Sequence, residues 1–398
     1  MNWLKSTYAF PLIFHPASRV LRVRRSRSMA LRRFDLLLNK KSLTLYSRRR
    51  TCVARLPIHQ CRDQDLLYHG RQWHLSFCAD HLQQHCPFLF SLTSPGCYSG
   101  IHTTAQFNAK IFNLTGDAAH KWYSDPLYNF MFDESMLSFG ADNLSLALNE
   151  EGDAYTLKSA VNEDCLVNIT FKRSSPGFVI GKDGTSYFGT DAQNPWGSMS
   201  HAFWPRCGVE GTITTKEQTY DLKGRGMFIH GLQGMKPHHA AARWNFVNFQ
   251  TPTYTAVMME FTTPPSYGST VVNVGGIVKD GEIVYAGVTN SATHTETAQD
   301  QDSDWPEPKS IKWVWDGKSQ DDKAVHAEVD GALGRRLDRI DVMAEVPGFI
   351  KTIAGSVAGT RPYIFQFAPQ EKLTLKLKIG DEEVSEEGVM FSESTFIS

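Results

Sequence analysis

VVNVGGIVKDGEIVYAGV (271–288) consists of two short apolar runs hinged on Asp280-Gly281. Runs of this length, rich in Val and Ile and parted by Asp-Gly, predict a β-hairpin. Its type I′ turn would need positive φ at both central residues. The pattern continues outward in both directions. Leu373, Leu375, Leu377 and Ile379 alternate with Thr374, Lys376 and Lys378, as in a half-buried strand. Ile311, Trp313 and Trp315 repeat that spacing, and Asp316-Gly317 predicts a turn behind them. Further strands are predicted over 154–161, 165–172, 226–230, 244–249, 254–262, 270–278, 282–289, 323–330, 338–345 and 362–368. The best helix candidate is VPGFIKTIAGSVAG (346–359), weakened by its glycines. Many short antiparallel strands point to sandwiches or closed barrels. SPGFVIGKDG from Ser175 and VPGFIKTIAG from Val346 are a faint internal echo, as a duplicated unit would leave.

The chain of 398 residues has a formal net charge of −1, but that figure hides a split. Residues 1–50 hold 13 Lys/Arg and one acid, giving +12; residues 51–100 balance at zero; residues 101–398 carry −13. The first hundred residues contain no Glu and five of the seven Cys. The acidic remainder gives no nucleic-acid footprint. Two cysteines in the later body make no disulfide framework, which predicts a reducing compartment. MALRRFDLLLNKK (29–41) forms a basic amphipathic pattern, with Leu31, Phe34, Leu37 and Leu38 on one side and Arg32 and Arg33 elsewhere on the wheel. These six residues are the candidates for membrane contact; a presequence and a structureless tail are the competing readings of 1–50. Cys78, His81, His85 and Cys86 could ligate zinc, but their spacing fits no ordinary zinc site, and no metal is expected.

G-x-S-x-G, Walker and H-E-x-x-H motifs are absent. His230, His238 and His239 lack a carboxylate companion nearby in sequence. What stands out is aromatic and Met density beside small polar groups in NPWGSMSHAFWPRC (194–207), RWNFVNFQTPTYTAVMMEF (243–261) and IKWVWDG (311–317). Such clusters fill cores, and in a wide barrel they can line an apolar ligand cavity.

At these segments the sequence resembles the fungal survival factor family, ceramide-binding proteins of oxidative-stress survival. The matching runs are GIHTTAQFNAKIFN (100–113), GKDGTSYFGTDAQNPWGSMSHAFWPRCGVEGTI (181–213), LQGMKPHHAAARWNFVNFQTPTYTAVMMEFTTPPSYGSTVVNVGGI (232–277) and LDRIDVMAEVPGF (337–349). The resemblance implies an all-β fold of two consecutive lipocalin-like antiparallel β-barrels over 100–250 and 251–398. Residues 1–99 match neither the family's membrane-binding start nor its opening strands. They are read as a basic leader, and the first barrel as lacking its N-terminal strands. The resemblance further implies a non-enzymatic carrier without cofactor. Its ligand would be ceramide or a related sphingolipid, moved from endoplasmic reticulum to Golgi in support of survival under oxidative stress. The expected location is cytoplasmic, peripheral to endoplasmic reticulum and cis-Golgi membranes, and nuclear. Candidate ligand contacts are Trp196, Phe203, Trp204, His239, Arg243, Trp244, Phe246, Tyr254 and Met258. The alternative is a lipocalin-like isomerase, hydratase or pericyclase working between the barrels, with His201, His239, Arg243 and Tyr254 as its acid–base set.

Overall fold

The computed structural model describes residues 68–78 and 88–97 as backbone. It describes 105–342 and 361–398 with side chains, apart from breaks at 115–119, 136, 182–183, 190, 192, 234 and 236, and with backbone only at 233, 237 and 238. The membrane-contact candidates, the helix predicted at 346–359 and the Cys/His set at 78–86 lie outside those side chains.

Two antiparallel sheets account for nearly all of it. The first comprises β1 (Tyr68–Cys78), β2 (Phe88–Cys97), β3 (Ala105–Ile111), β4 (Lys121–Leu127), β5 (Met131–Phe132), β6 (Phe139–Ala141) and β7 (Leu144–Leu148). It continues with β8 (Ala154–Asn162), β9 (Cys165–Arg173), β10 (Phe178–Val179), β11 (Thr185–Phe188), β12 (Gly197–Thr215) and β13 (Thr219–Gln233). Its order is β4-β3-β2-β1-β13-β12-β9-β8-β7-β6-β5. Ala105–Ile111 near one edge and Leu144 and Leu146 near the other share one core with Tyr155, Phe171, Trp204 and Phe228. The sheet therefore curls around its own interior, while no ladder joins β4 to β5 among the described residues. The sequence starts this unit at residue 100; the sheet starts at Tyr68, inside the stretch read as a leader.

The second sheet comprises β14 (Arg243–Gln250), β15 (Tyr254–Thr262), β16 (Val271–Lys279), β17 (Glu282–Gly287), β18 (Asn290–Gln299) and β19 (Pro306–Lys318). It ends with β20 (Ala324–Ala332), β21 (Arg336–Asp341), β22 (Tyr363–Phe367), β23 (Leu373–Ile379) and β24 (Glu382–Phe396). Strand β14 pairs with β15 and β24, so the second unit begins at Arg243 rather than at the expected 251. The long strand β24 pairs with β23 over its first half and with β22 over its second. Strand β12 likewise pairs with β11 and β10 over its first half and with β9 over its second.

The two Asp-Gly pairs resolve differently. Lys279 pairs with Glu282 across a tight turn in which Gly281 has φ 75°. Asp280 is not in the left-handed region, so the turn uses one such residue, not the two of type I′; a register shift at Ile277/Val278 bends the ladder into it. Asp316-Gly317 is no turn at all but part of β19, paired with His326 and Val325. Glycine stands there because a Cβ would sit 2.2 Å from the Tyr285 ring.

Strand alternation divides side chains between the interiors and the seam where the sheets meet. Ala202 and Trp204 enter the first core, whereas Phe203 between them faces the seam. Ala256 and Met258 enter the second core, whereas Val257 and Met259 face the seam. There Phe178, Phe203, Met227 and Ile229 pack against Val257, Met259, Val274, Val278, Ile283 and Ala286. Arg206, only 1% exposed, fastens this seam. It donates from Nε to Asp280 Oδ1 at 2.7 Å, and from its other nitrogens to the carbonyls of Thr251, Pro252 and Tyr254. A second buried link runs from Lys110 on β3 to Asp338 and to Gln366 Oε1 (2.9 Å), and from Gln366 to Glu393 (2.9 Å).

Candidate functional site

Four strands of the second barrel deliver one polar residue each to the same level of its interior. In β14 the inward phase is Arg243, Asn245, Val247, Phe249; in β15 it is Ala256, Met258, Glu260. In β16 it holds Asn273, Gly275 and Ile277, and in β24 Met390, Ser392, Ser394 and Phe396. The register places Ser394 opposite Asn245, Asn245 opposite Glu260 and Glu260 opposite Asn273. Deeper levels are mainly apolar: Val247 with Met258, then Met390, Phe249, Ala256 and Ile277. The level above ends at exposed Arg243 and at Val271, 58% exposed, which marks the open end.

Hydrogen bonds stitch the row together. Glu260 Oε2 accepts from Asn273 Nδ2 (3.0 Å) and the Ala292 amide (3.0 Å), and Oε1 accepts from Asn245 Nδ2 (3.5 Å). Asn290 donates to Asn273 Oδ1 (2.9 Å) and accepts from the Tyr285 hydroxyl (2.9 Å). Asn245 Oδ1 accepts from Ser394 Oγ (3.0 Å) and faces His294 Nε2 at 2.9 Å. Because that oxygen can only accept, His294 carries its proton on Nε2 and presents a lone pair on Nδ1. Phe396, stacked on Trp305 with centroids 5.4 Å apart, walls the half-buried imidazole.

The charges are tuned toward neutrality. Burial, the largest influence, pushes the Glu260 carboxyl above its usual range, against the pull of its donors. Burial, and secondarily the Arg243 guanidinium, lowers His294 to about 4. At neutral pH the imidazole is therefore uncharged and a weak base. Ser394 Oγ lies 3.3 Å from His294 Nε2, but both are committed to Asn245, and the charge perturbing the imidazole is a cation. A nucleophile-and-base pair needs the reverse arrangement. The row can hydrogen-bond a neutral head bearing donors and acceptors, with apolar wall beneath it.

The nine contacts expected from sequence do not converge. Trp204 lies in the first core, 5.0 Å from the Tyr155 ring. Tyr254 and Met258 lie in the second. Phe203 stacks on Phe178 in the seam, and Phe246 leans on Phe391 at 6.4 Å. Trp196 and His239 meet at Tyr267, the imidazole bonding its hydroxyl at 2.7 Å, and Trp244 packs in the same cluster. Arg243 borders the polar row from the level above and Met258 from the level below. Of the alternative acid–base set, Arg243 pairs with Thr262 at one end of the β14–β15 hairpin and Tyr254 sits at the other, roughly 25 Å away. The row itself was missed. Its signal is a lone polar letter at the inward phase of each apolar strand, and two of these, Asn245 and Glu260, lie in the stretch singled out for aromatics. Among the described residues no group of three or more His, Cys, Asp or Glu could hold a metal, and no helix is long and apolar enough to cross a membrane.

Comparison with known proteins follows the same lines. The model of the Svf1 family matches residues 96–398. Ceramide-binding protein svf1 of Aspergillus fumigatus is 77% identical over 318 residues, covering 75% of this chain and 80% of that protein. Ceramide-binding protein svf1 of Schizosaccharomyces pombe is 45% identical, covering 74% and 78%. Among solved structures, CghA superposes with a TM-score of 0.57 at 11% identity, covering 83% of this chain and 89% of that one. An AttH protein from Nitrosomonas europaea superposes with 0.53 at 12%, covering 84% and 94%. These likenesses bear on fold alone, and they agree with two lipocalin-like barrels.

Proposed function

The chain belongs to the Svf1 family, and from that premise we propose that it binds ceramide, with the lipid head at the polar row of the second barrel. The observation that carries this reading is the register Ser394–Asn245–Glu260–Asn273 across an otherwise apolar interior. A ceramide head is uncharged and offers one amide and two hydroxyls. The neutral His294 Nδ1 accepts from such a group, and the edge of Asn245 is half-buried rather than sealed. Each methylene withdrawn from water contributes roughly 0.8 kcal/mol, so a two-chain lipid leaves a membrane slowly unless an apolar wall receives it. Met258, Phe249 and Ile277 below the row supply such a wall.

The finer proposal follows from family membership. The chain carries ceramide from endoplasmic reticulum to Golgi, working in the cytoplasm and peripherally at those membranes, and so supports survival under oxidative stress. The test is lipid recovered with the purified full chain, measured by mass spectrometry after incubation with ceramide-containing vesicles. Wild type is expected to carry ceramide, and Asn245→Ala to carry about tenfold less, since it removes both an acceptor and a donor from the row. A folded wild-type protein that recovers no ceramide, or an Asn245→Ala variant that recovers as much, contradicts the proposal. Turnover of a polyene by a lipid-free protein would support the enzyme reading instead.

A further inference from the structure

We infer that the first barrel holds a separate site for the carboxylate of a long-chain fatty acid, at Arg173 and Trp204. Cys165, Val167, Ile169 and Phe171 alternate along β9 and are buried in the first core. Arg173 is the next residue on that face, so the strand delivers a guanidinium to the end of an apolar interior. Its Cζ lies 5.1 Å from the centroid of the Trp204 ring, and Trp204 is 2% exposed. Arg173 Nη1 and Trp204 Nε1 are both buried donors without a hydrogen-bond partner among the described residues.

Buried donors are paired in nearly all native interiors, and a buried cation ordinarily has an anion beside it. Neither holds here. Asp153 is the carboxylate that favours the charged guanidinium, yet its oxygens go to Asn149 Nδ2 (2.8 Å) and toward Lys172 Nζ (4.0 Å). Cys207, paired with Arg173 across the ladder, is a thiol that burial keeps protonated. Among the described residues the guanidinium thus lies over the indole ring, and neither its Nη1 nor the indole Nε1 meets an acceptor. Two oxygens of a carboxylate fit that pair, in the charge-assisted geometry that guanidinium favours. Tyr155, Phe171 and Phe228 beside it suit an alkyl chain. The neutral row of the second barrel shares no residue with this site, so either can fail without the other.

Palmitate and hexadecanol, equal in chain length and different in head charge, are titrated against the full chain by tryptophan fluorescence. Palmitate is expected to bind at least about tenfold tighter. Arg173→Gln abolishes that preference while leaving ceramide recovery unchanged. Trp204→Phe, which keeps a ring and removes the N–H, weakens palmitate about threefold or more and leaves hexadecanol alone. Equal affinity for acid and alcohol in wild type, or a preference untouched in either folded variant, overturns the inference.

Discussion

The two barrels fill their interiors by the same alternation of strand residues, and one polar cluster in each is partnered differently. In the second, an inward carboxylate is met by Asn245, Asn273 and the Ala292 amide, and the nearby imidazole is held neutral. In the first, a guanidinium lies over the Trp204 ring, and neither its Nη1 nor the indole Nε1 is partnered among the described residues. A satisfied network rigidifies the protein before any ligand arrives; an unsatisfied one leaves interaction energy for a ligand to collect. The contrast suggests a neutral head in one barrel and an anionic head in the other. Their edges are alike: the first sheet ends on β4 and β5 and its counterpart on β17 and β18, in each case consecutive strands joined by a short connection.

The largest expected effect tests how far each barrel depends on its own core. Trp313 is fully buried in the second core, and Trp313→Ala should cost about 3–5 kcal/mol in denaturant unfolding. A loss under about 1 kcal/mol would mean that this interior is loosely packed and the comparison misdrawn.

Next in size is a pH effect confined to the second barrel. The folded state holds His294 at about 4, below the 6.5 of the free side chain, so the unfolded chain binds the proton more readily. The stabilisation is complete above pH 6.5 and is lost as pH falls toward 4. His294→Gln should flatten that part of the stability–pH curve relative to wild type. Parallel curves would show that the imidazole is not desolvated as described.

The smallest effect sharpens the first barrel. Trp204→Phe removes a donor that has no partner, so stability should fall by less than about 1 kcal/mol, even though Trp204 is nearly fully buried. A loss above 2 kcal/mol would reveal a partner for the indole N–H in solution.

Much of the fold was legible because alternation is a local property. The runs read as strands at 154–161, 165–172, 254–262 and 373–379 correspond to β8, β9, β15 and β23 within a residue or so. Strand β12 was not legible as one element. Its alternation breaks where the register shifts between Trp204 and Cys207, and it read as an aromatic cluster instead. The same break hid the fact that Trp204 faces the first interior and Phe203 the seam. Gly317 looked like a turn because the ring that demands a glycine there, Tyr285, is 32 residues away in sequence. The polar row is legible only once register is known, since Asn245, Glu260, Asn273 and Ser394 are spread over 150 residues. A single Asn among aromatics carries no mark of which strand it will face.

The ceramide head is proposed to sit at the polar row of the second barrel. A ceramide with a photoactivatable group next to its amide, cross-linked to the full chain and mapped by mass spectrometry, tests it most directly. Cross-links are expected in Arg243–Gln250, Tyr254–Thr262, Asn290–Gln299 or Glu382–Phe396. Cross-links confined to the strands of the first barrel, in a protein that does bind ceramide, would contradict it.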